Sequence, residues 1–177
     1  MNLSLKARKL IGFLFVSAAG TFLHFLYGLT GESTAAALIS AVNESIWEHM
    51  KLIFYPMVLF TLAENRWAKD NICRGSALAG ILLATVLIPV LYYTYTGISG
   101  TSADWFNITI FFLAAGAAYW LEYRLEEGKC SCRISSMLWW SVIILIAAMF
   151  TAATFDPPHV PLFRDAQTGT YGIRNEL

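Results

Sequence analysis

Five long apolar stretches separated by short polar segments set the pattern of the chain: residues 10–29, 50–63, 77–95, 106–123 and 137–155. Most approach the ~20 residues a helix needs to cross a hydrocarbon core of about 30 Å. The second is short unless its helix starts near Asn43 or Ser45. Residues 33–42 are small and apolar, and predict a short helix lying on the outer surface. Past Phe155, Asp156-Pro157-Pro158-His159-Val160-Pro161 cannot continue a helix. Thr168-Gly169-Thr170-Tyr171-Gly172 then reads as a turn. Val160, Leu162, Phe163, Tyr171 and Ile173 predict that this tail folds back over the outer face. The expectation is an all-α, polytopic membrane bundle of five transmembrane helices over residues 1–155, with an extracytoplasmic tail over 156–177. Pro56 and Pro89 fall inside spans and predict kinks.

Composition agrees with this pattern. The chain is 57% hydrophobic and 14% charged, too little charge to cover the surface of a soluble domain of this size. The charges also sort by side. Lys6, Arg8, Lys9, Arg66, Lys69, Arg74, Arg124, Lys129 and Arg133 lie on one side, and only Lys51, Arg164 and Arg174 on the other. The positive-inside rule therefore places the N-terminus in the cytosol and the C-terminus outside, in a multi-pass protein of the cell membrane. A cleaved signal peptide ending near Ser17-Ala18-Ala19 is the alternative for the first segment, but the apolar run continues through Leu26. Twelve basic and twelve acidic residues cancel, so nothing points to nucleic acid as a partner. Cys73, Cys130 and Cys132 fall on the cytosolic side, where free thiols are expected.

Placing polar residues by helical rise shows a second asymmetry. His24 lies ~22 Å above Lys9, His49 ~25 Å above Arg66, and Glu48 ~27 Å above Arg66. Tyr93 lies ~28 Å above Arg74 and Asn107 ~25 Å above Arg124, so four helices bring a polar group to one outer layer. Glu44 and Asp104 lie slightly higher, as do Asp156 and His159 at the exit of the last span. All three histidines share this end. Ionisable groups at such depth face a bundle interior, pair with one another or line a wet cavity.

This layer supplies the candidate chemistry. His24, His49 and His159 or Asp156 make a plausible divalent-metal set, zinc for example. Glu48 or Glu44 would activate a metal-bound water. Asn43, Ser45, Asn107 and one of Tyr93 or Tyr95 would line the pocket. Each residue also has a structural reading. Ser45-x-x-Glu48 matches a helix-capping box, Lys51 can pair with Glu48, and boundary tyrosines are anchors by default. Glu64 and Glu122, near the other boundary, are expected to be solvated or paired with Arg66 and Arg124.

The segments Asn43-Glu44-Ser45-Ile46-Trp47-Glu48-His49, Tyr93-Thr94-Tyr95-Thr96-Gly97 and Asp156-Pro157-Pro158-His159-Val160-Pro161 resemble a family of small bacterial integral membrane proteins known only as a domain of unknown function. The resemblance covers nearly the whole chain and implies no activity. By site chemistry alone, the polar layer is comparable to membrane hydrolases related to alkaline ceramidase, although the paired His-x-x-x-His of those enzymes is missing. A metal-dependent intramembrane hydrolase or lipid-modifying enzyme is thus the first expectation. The others are a binding or transport protein for a cation, lipid headgroup or small amine, a bis-histidine haem protein using His24 and His49, and an accessory protein whose polar layer only fixes helix packing.

Overall fold

A computed structural model describes residues 3–68, 73–128 and 134–173. Among these residues the chain is all-helical. It runs through α1 (Leu5–Leu29), α2 (Thr34–Ala37), α3 (Ile46–Trp67), α4 (Arg74–Ser99), α5 (Asp104–Glu127), α6 (Ser136–Phe155) and a 3-10 turn at Pro161–Phe163. Serines start three of the helices. Ser4, Ser45 and Ser135 each accept a hydrogen bond from the amide three residues on, satisfying a donor that has no partner within the helix. The second apolar stretch gains the length it lacked because α3 begins at Ile46, directly after its Ser45 cap. α3 and α4 each continue as single helices through Pro56 and Pro89.

Three helices, α1, α4 and α6, are long and apolar enough to cross a membrane, as expected of a membrane protein. Leu10, Leu14, Phe22 and Phe25 on α1 and Met137, Ile144 and Leu145 on α6 are exposed, an outward apolar surface suited to lipid. α3 differs because it is the central helix, touching α1, α4, α6 and the 3-10 turn. Glu48, Lys51, Thr61 and Glu64 are buried on it, so its mean hydropathy falls while it still packs against apolar neighbours. Ile53, Phe54 and Met57 form the middle of the core with Ile81, Ala114 and Phe150.

Lys51 shows how this interior tolerates charge. It is fully buried, and its Nζ meets Glu48, donates to the Ala37 carbonyl at 2.9 Å and donates to Thr154 Oγ1 at 2.8 Å. The ammonium thereby ties α2, α3 and α6 together. The expected surface helix over 33–42 is reduced to the single turn α2, and Lys51 is what holds it.

The tail turns back on the bundle. Asp156 ends α6, and Ile173 N–H donates to the Thr154 carbonyl at 3.2 Å. Phe163 packs on Trp47 with ring centroids 4.7 Å apart. A bridge between Arg164 and Tyr171 closes the turn, whose Gly169 and Gly172 have φ of 73° and 59°, values that glycine accepts without strain.

Two expectations at the basic end are corrected. Glu64 and Glu122 are each 2% exposed, and their partners are Lys9 and Arg8 of α1, not Arg66 and Arg124. Cys73 is disulfide-bonded rather than a free thiol. Cys130 and Cys132, together with Lys69, Lys129, Arg133 and Arg174, lie outside the described residues.

Candidate metal centre

The histidine end brings together His24 of α1, Glu44 of the loop before α3, and His49 from the first turns of α3. One ligand atom from each lies within 4.8 Å of the others. Glu44 bridges the two rings, with Oε2 3.4 Å from His49 Nε2 and Oε1 3.9 Å from His24 Nε2. The rings meet edge to face at 5.5 Å, and His24 stacks on Phe25 at 5.0 Å. All three residues are partly buried.

Local sequence explains this convergence. Asn43 Oδ1 accepts from the Ser45 amide at 3.0 Å, an Asx turn that reverses the chain just before the helix. Asn43 Nδ2 donates to the Gly172 carbonyl at 3.0 Å, clamping the loop to the tail. Asp165 makes a second clamp from the tail side. Its carboxylate accepts from the Gln167 amide at 2.7 Å and the Thr168 hydroxyl at 2.8 Å, and it also interacts with the Glu44 backbone amide. Burial raises the pKa of Asp165, but these donors outweigh burial and hold it below the ordinary value.

The protonation of His49 follows from its partners. Nδ1 lies 2.8 Å from the Ser45 carbonyl oxygen, which only accepts, so Nδ1 carries the hydrogen. Nε2 is then the atom that faces Glu44. A neutral ring would point its lone pair at a carboxylate. The contact is favourable only with a positive charge there, either a proton on Nε2 or a metal ion shared by the three residues. A backbone carbonyl that fixes the distant nitrogen of an imidazole is the usual outer-shell partner of metal-binding histidine. The hydrogen bond with His49 lowers the pKa of Glu44 despite partial burial, so its carboxylate is held as an anion.

A cavity of about 210 Å³ opens beside Glu44 and His49. Ile88, Ile110 and Phe111 form its apolar wall; Tyr92, Asp104, Asn107 and Gln167 supply polar groups, and among the described residues no Lys or Arg lines it. Asn107 anchors one edge by donating to Ser102 Oγ at 3.1 Å.

Other residues predicted for the site lie elsewhere. Glu48 is 2% exposed, pairs with Lys51 and accepts from the Val42 amide at 3.1 Å and from Thr154 Oγ1 at 3.1 Å. That makes it a core ion pair rather than a free base. His159 stacks on Tyr171 at 4.5 Å, and Asp156 caps α6; neither belongs to the three-residue group. Ser45 is spent on capping and Asn43 on the loop. Tyr93 is exposed and edge-on to Tyr92, and Tyr95 accepts from the Ala103 amide at 2.5 Å while stacking on Phe106. Tyr92, Asp165 and Gln167 were missed. Depth along a helix does not reveal which of two adjacent tyrosines faces inward, and nothing in the tail sequence marks Asp165 apart from its turn-forming neighbours.

Fold and site together define a helical protein with membrane-compatible apolar helices and a histidine–carboxylate group at one end of the bundle. The chain belongs to the family of unknown function DUF6512, whose sequence profile matches residues 2–173. Comparison with curated proteins and with solved structures finds no match.

Proposed function

We propose that this chain is a five-span protein of the cell membrane, N-terminus inside and C-terminus outside, that holds a divalent cation such as zinc at its outer mouth and uses it in hydrolysis or lipid modification. α3 and α5 are the two additional spans. Glu48, Lys51 and Glu64 of α3 and Glu122 of α5 are buried in the bundle, and the 22 and 24 residues of these helices reach about 33 and 36 Å, enough to cross the hydrocarbon core. The single observation that carries the metal assignment is the orientation of His49: its Nδ1 is committed to Ser45, and its Nε2 converges with His24 and Glu44.

His24, Glu44 and His49 fit the two-imidazole, one-carboxylate set that leaves a coordination position open in catalytic zinc sites. A bound divalent ion supplies a hydroxide near neutral pH by lowering the pKa of water to about 7. The chain's own residues would position the ion through Ser45 and Asp165. The cavity would seat a lipid or small-molecule substrate against its apolar wall, with Asp104 and Asn107 available to orient it. His159, Asp156 and Glu48 have no part in this assignment.

A second reading has one observation in its favour. Glu44 and Asp104 face the cavity with no Lys or Arg opposing them, which suits binding or transport of a small amine or cation.

Elemental analysis and an absorbance spectrum of detergent-purified protein test both readings. About one equivalent of zinc, lost in His24→Ala and His49→Ala variants that remain helical, is expected. Folded, metal-free protein from metal-replete cells would refute the metal assignment, and a Soret band would instead identify bis-histidine haem. Reporters at the two termini, read from opposite sides of the membrane, test the odd number of spans.

A further inference from the structure

The basic end contains a second buried group that stands independently of the metal assignment. Lys9 of α1 reaches into the bundle, with Nζ 2.8 Å from Glu126 Oε1, 2.9 Å from Glu122 Oε2 and 3.6 Å from Glu64 Oε2. Arg8 adds Nε at 3.5 Å from Glu64 Oε1 and a terminal nitrogen at 3.8 Å from Glu126 Oε2. α3 contributes Glu64, and α5 contributes Glu122, Glu126 and the Tyr119 phenol. α4 contributes only the Ser76 hydroxyl, which donates to Glu126 Oε1 at 2.8 Å, and the bare backbone of Gly80 against Glu122.

The charges do not balance. Among the described residues, three carboxylates face one ammonium and one guanidinium, an excess of one negative charge. Burying an uncompensated charge among packed helices is among the costliest arrangements a protein can hold. The imbalance has a visible address: Glu64 and Glu122 are each 2% exposed, and the Oε1 of each has no hydrogen-bond partner among the described residues. A metal ion is a poor remedy, because Lys9 already occupies the centre of the carboxylates and Arg8 flanks them. Lys9 also lines a groove of about 250 Å³ between α1 and α5, beside Lys6, Leu10, Phe13, Tyr119 and Tyr123, which opens the ammonium side of the cluster to the surface.

We propose that this cluster is a proton-binding site, in which one proton taken from water through the α1/α5 groove is shared by Glu64 and Glu122. The proton adds to a carboxylate oxygen and converts it to a neutral carboxylic acid, leaving two carboxylates for two fixed cations. Acids crowded around a shared cation take up protons as a set, so the site belongs to the pair and not to one residue. Because the cluster joins α1 to α3 and α5, loss of the proton loosens the end of α1 opposite His24.

Infrared hydrogen–deuterium difference spectroscopy of the full chain in lipid nanodiscs, near neutral pH, reads the proton directly. The wild type should show the carbonyl band of a protonated carboxylic acid, shifted in deuterated buffer. Glu122→Gln and Glu64→Gln should each abolish the band, since either balances the cluster. Glu48→Gln, taken from the separate pair with Lys51, should leave it in place. If one Gln variant fails to fold, the other gives the same reading. A wild type without the band, a band that persists in both variants, or a sodium-dependent rise in Tm without the band would overturn the proposal.

Discussion

Gly20 of α1 lies directly against the backbone of α3: a Cβ at this position would fall 2.6 Å from the Leu52 carbonyl oxygen and 2.5 Å from the Phe111 ring. One turn further along α1 stands His24, and Leu52 is one turn beyond His49. The close approach that glycine permits is therefore what brings the two imidazoles within reach of one carboxylate.

Gly20→Ala should separate the two helices, because the Leu52 carbonyl is backbone and cannot rotate away. Overpacking of this kind costs about 1–3 kcal/mol. The expected result is a lower Tm in detergent together with weaker zinc binding, although no ligand is altered. Gly28→Ala, where a Cβ meets nothing within 4 Å, should leave both unchanged.

Zinc binding should weaken in acid, because imidazole and carboxylate ligands must shed their protons to hold a metal ion. Glu44→Gln should weaken binding at every pH, since it removes the anion that both rings face. Equilibrium dialysis across a pH series separates the two effects.

Lys51→Met should be severely destabilising. It leaves the Glu48 carboxylate buried without its cation, and breaking such a pair costs about 3–5 kcal/mol. The double variant Lys51→Met/Glu48→Gln should recover much of the loss. Thermal melting of the single and double variants measures the coupling.

Asp165 has a folded pKa below the ordinary ~3.9 of aspartate. Its contribution to stability is therefore complete above that ordinary value and is lost as pH falls through the lower folded one. Limited proteolysis of the tail should accelerate only in acid. Asp165→Asn should make the tail susceptible at neutral pH as well and remove most of this acid dependence.

The sequence made one end of the molecule more legible than the other. His24 and His49 could be paired because helical rise gives depth and they share one, whereas Glu44, slightly higher, was read as a base for bound water and His159 or Asp156 as the third ligand. Rise says nothing about which way a side chain points. Glu48 and His49 are neighbours in sequence and depth, yet one turns inward to Lys51 and the other toward the cavity. The same blindness hid Tyr92 behind Tyr93. At the basic end, Glu64 and Glu122 were matched with arginines two residues away, whereas their partners come from α1, remote in the chain and brought close only by bundle packing. Local spacing fixes elements and caps; it does not fix which helices become neighbours.

The tail's hold on the Glu44 loop, through Gly172 on Asn43 and through Asp165, ties the site to the order in which the chain is made. Synthesis proceeds from the N-terminus, so every described long helix and His24, Glu44 and His49 emerge before the residues that fasten the loop. A chain stopped after α6 would own the complete helical bundle with its mouth unlaced. Synthesis of the tail thus acts as a seal set after the bundle, reserving a laced mouth for molecules in which residues 156–173 have been made.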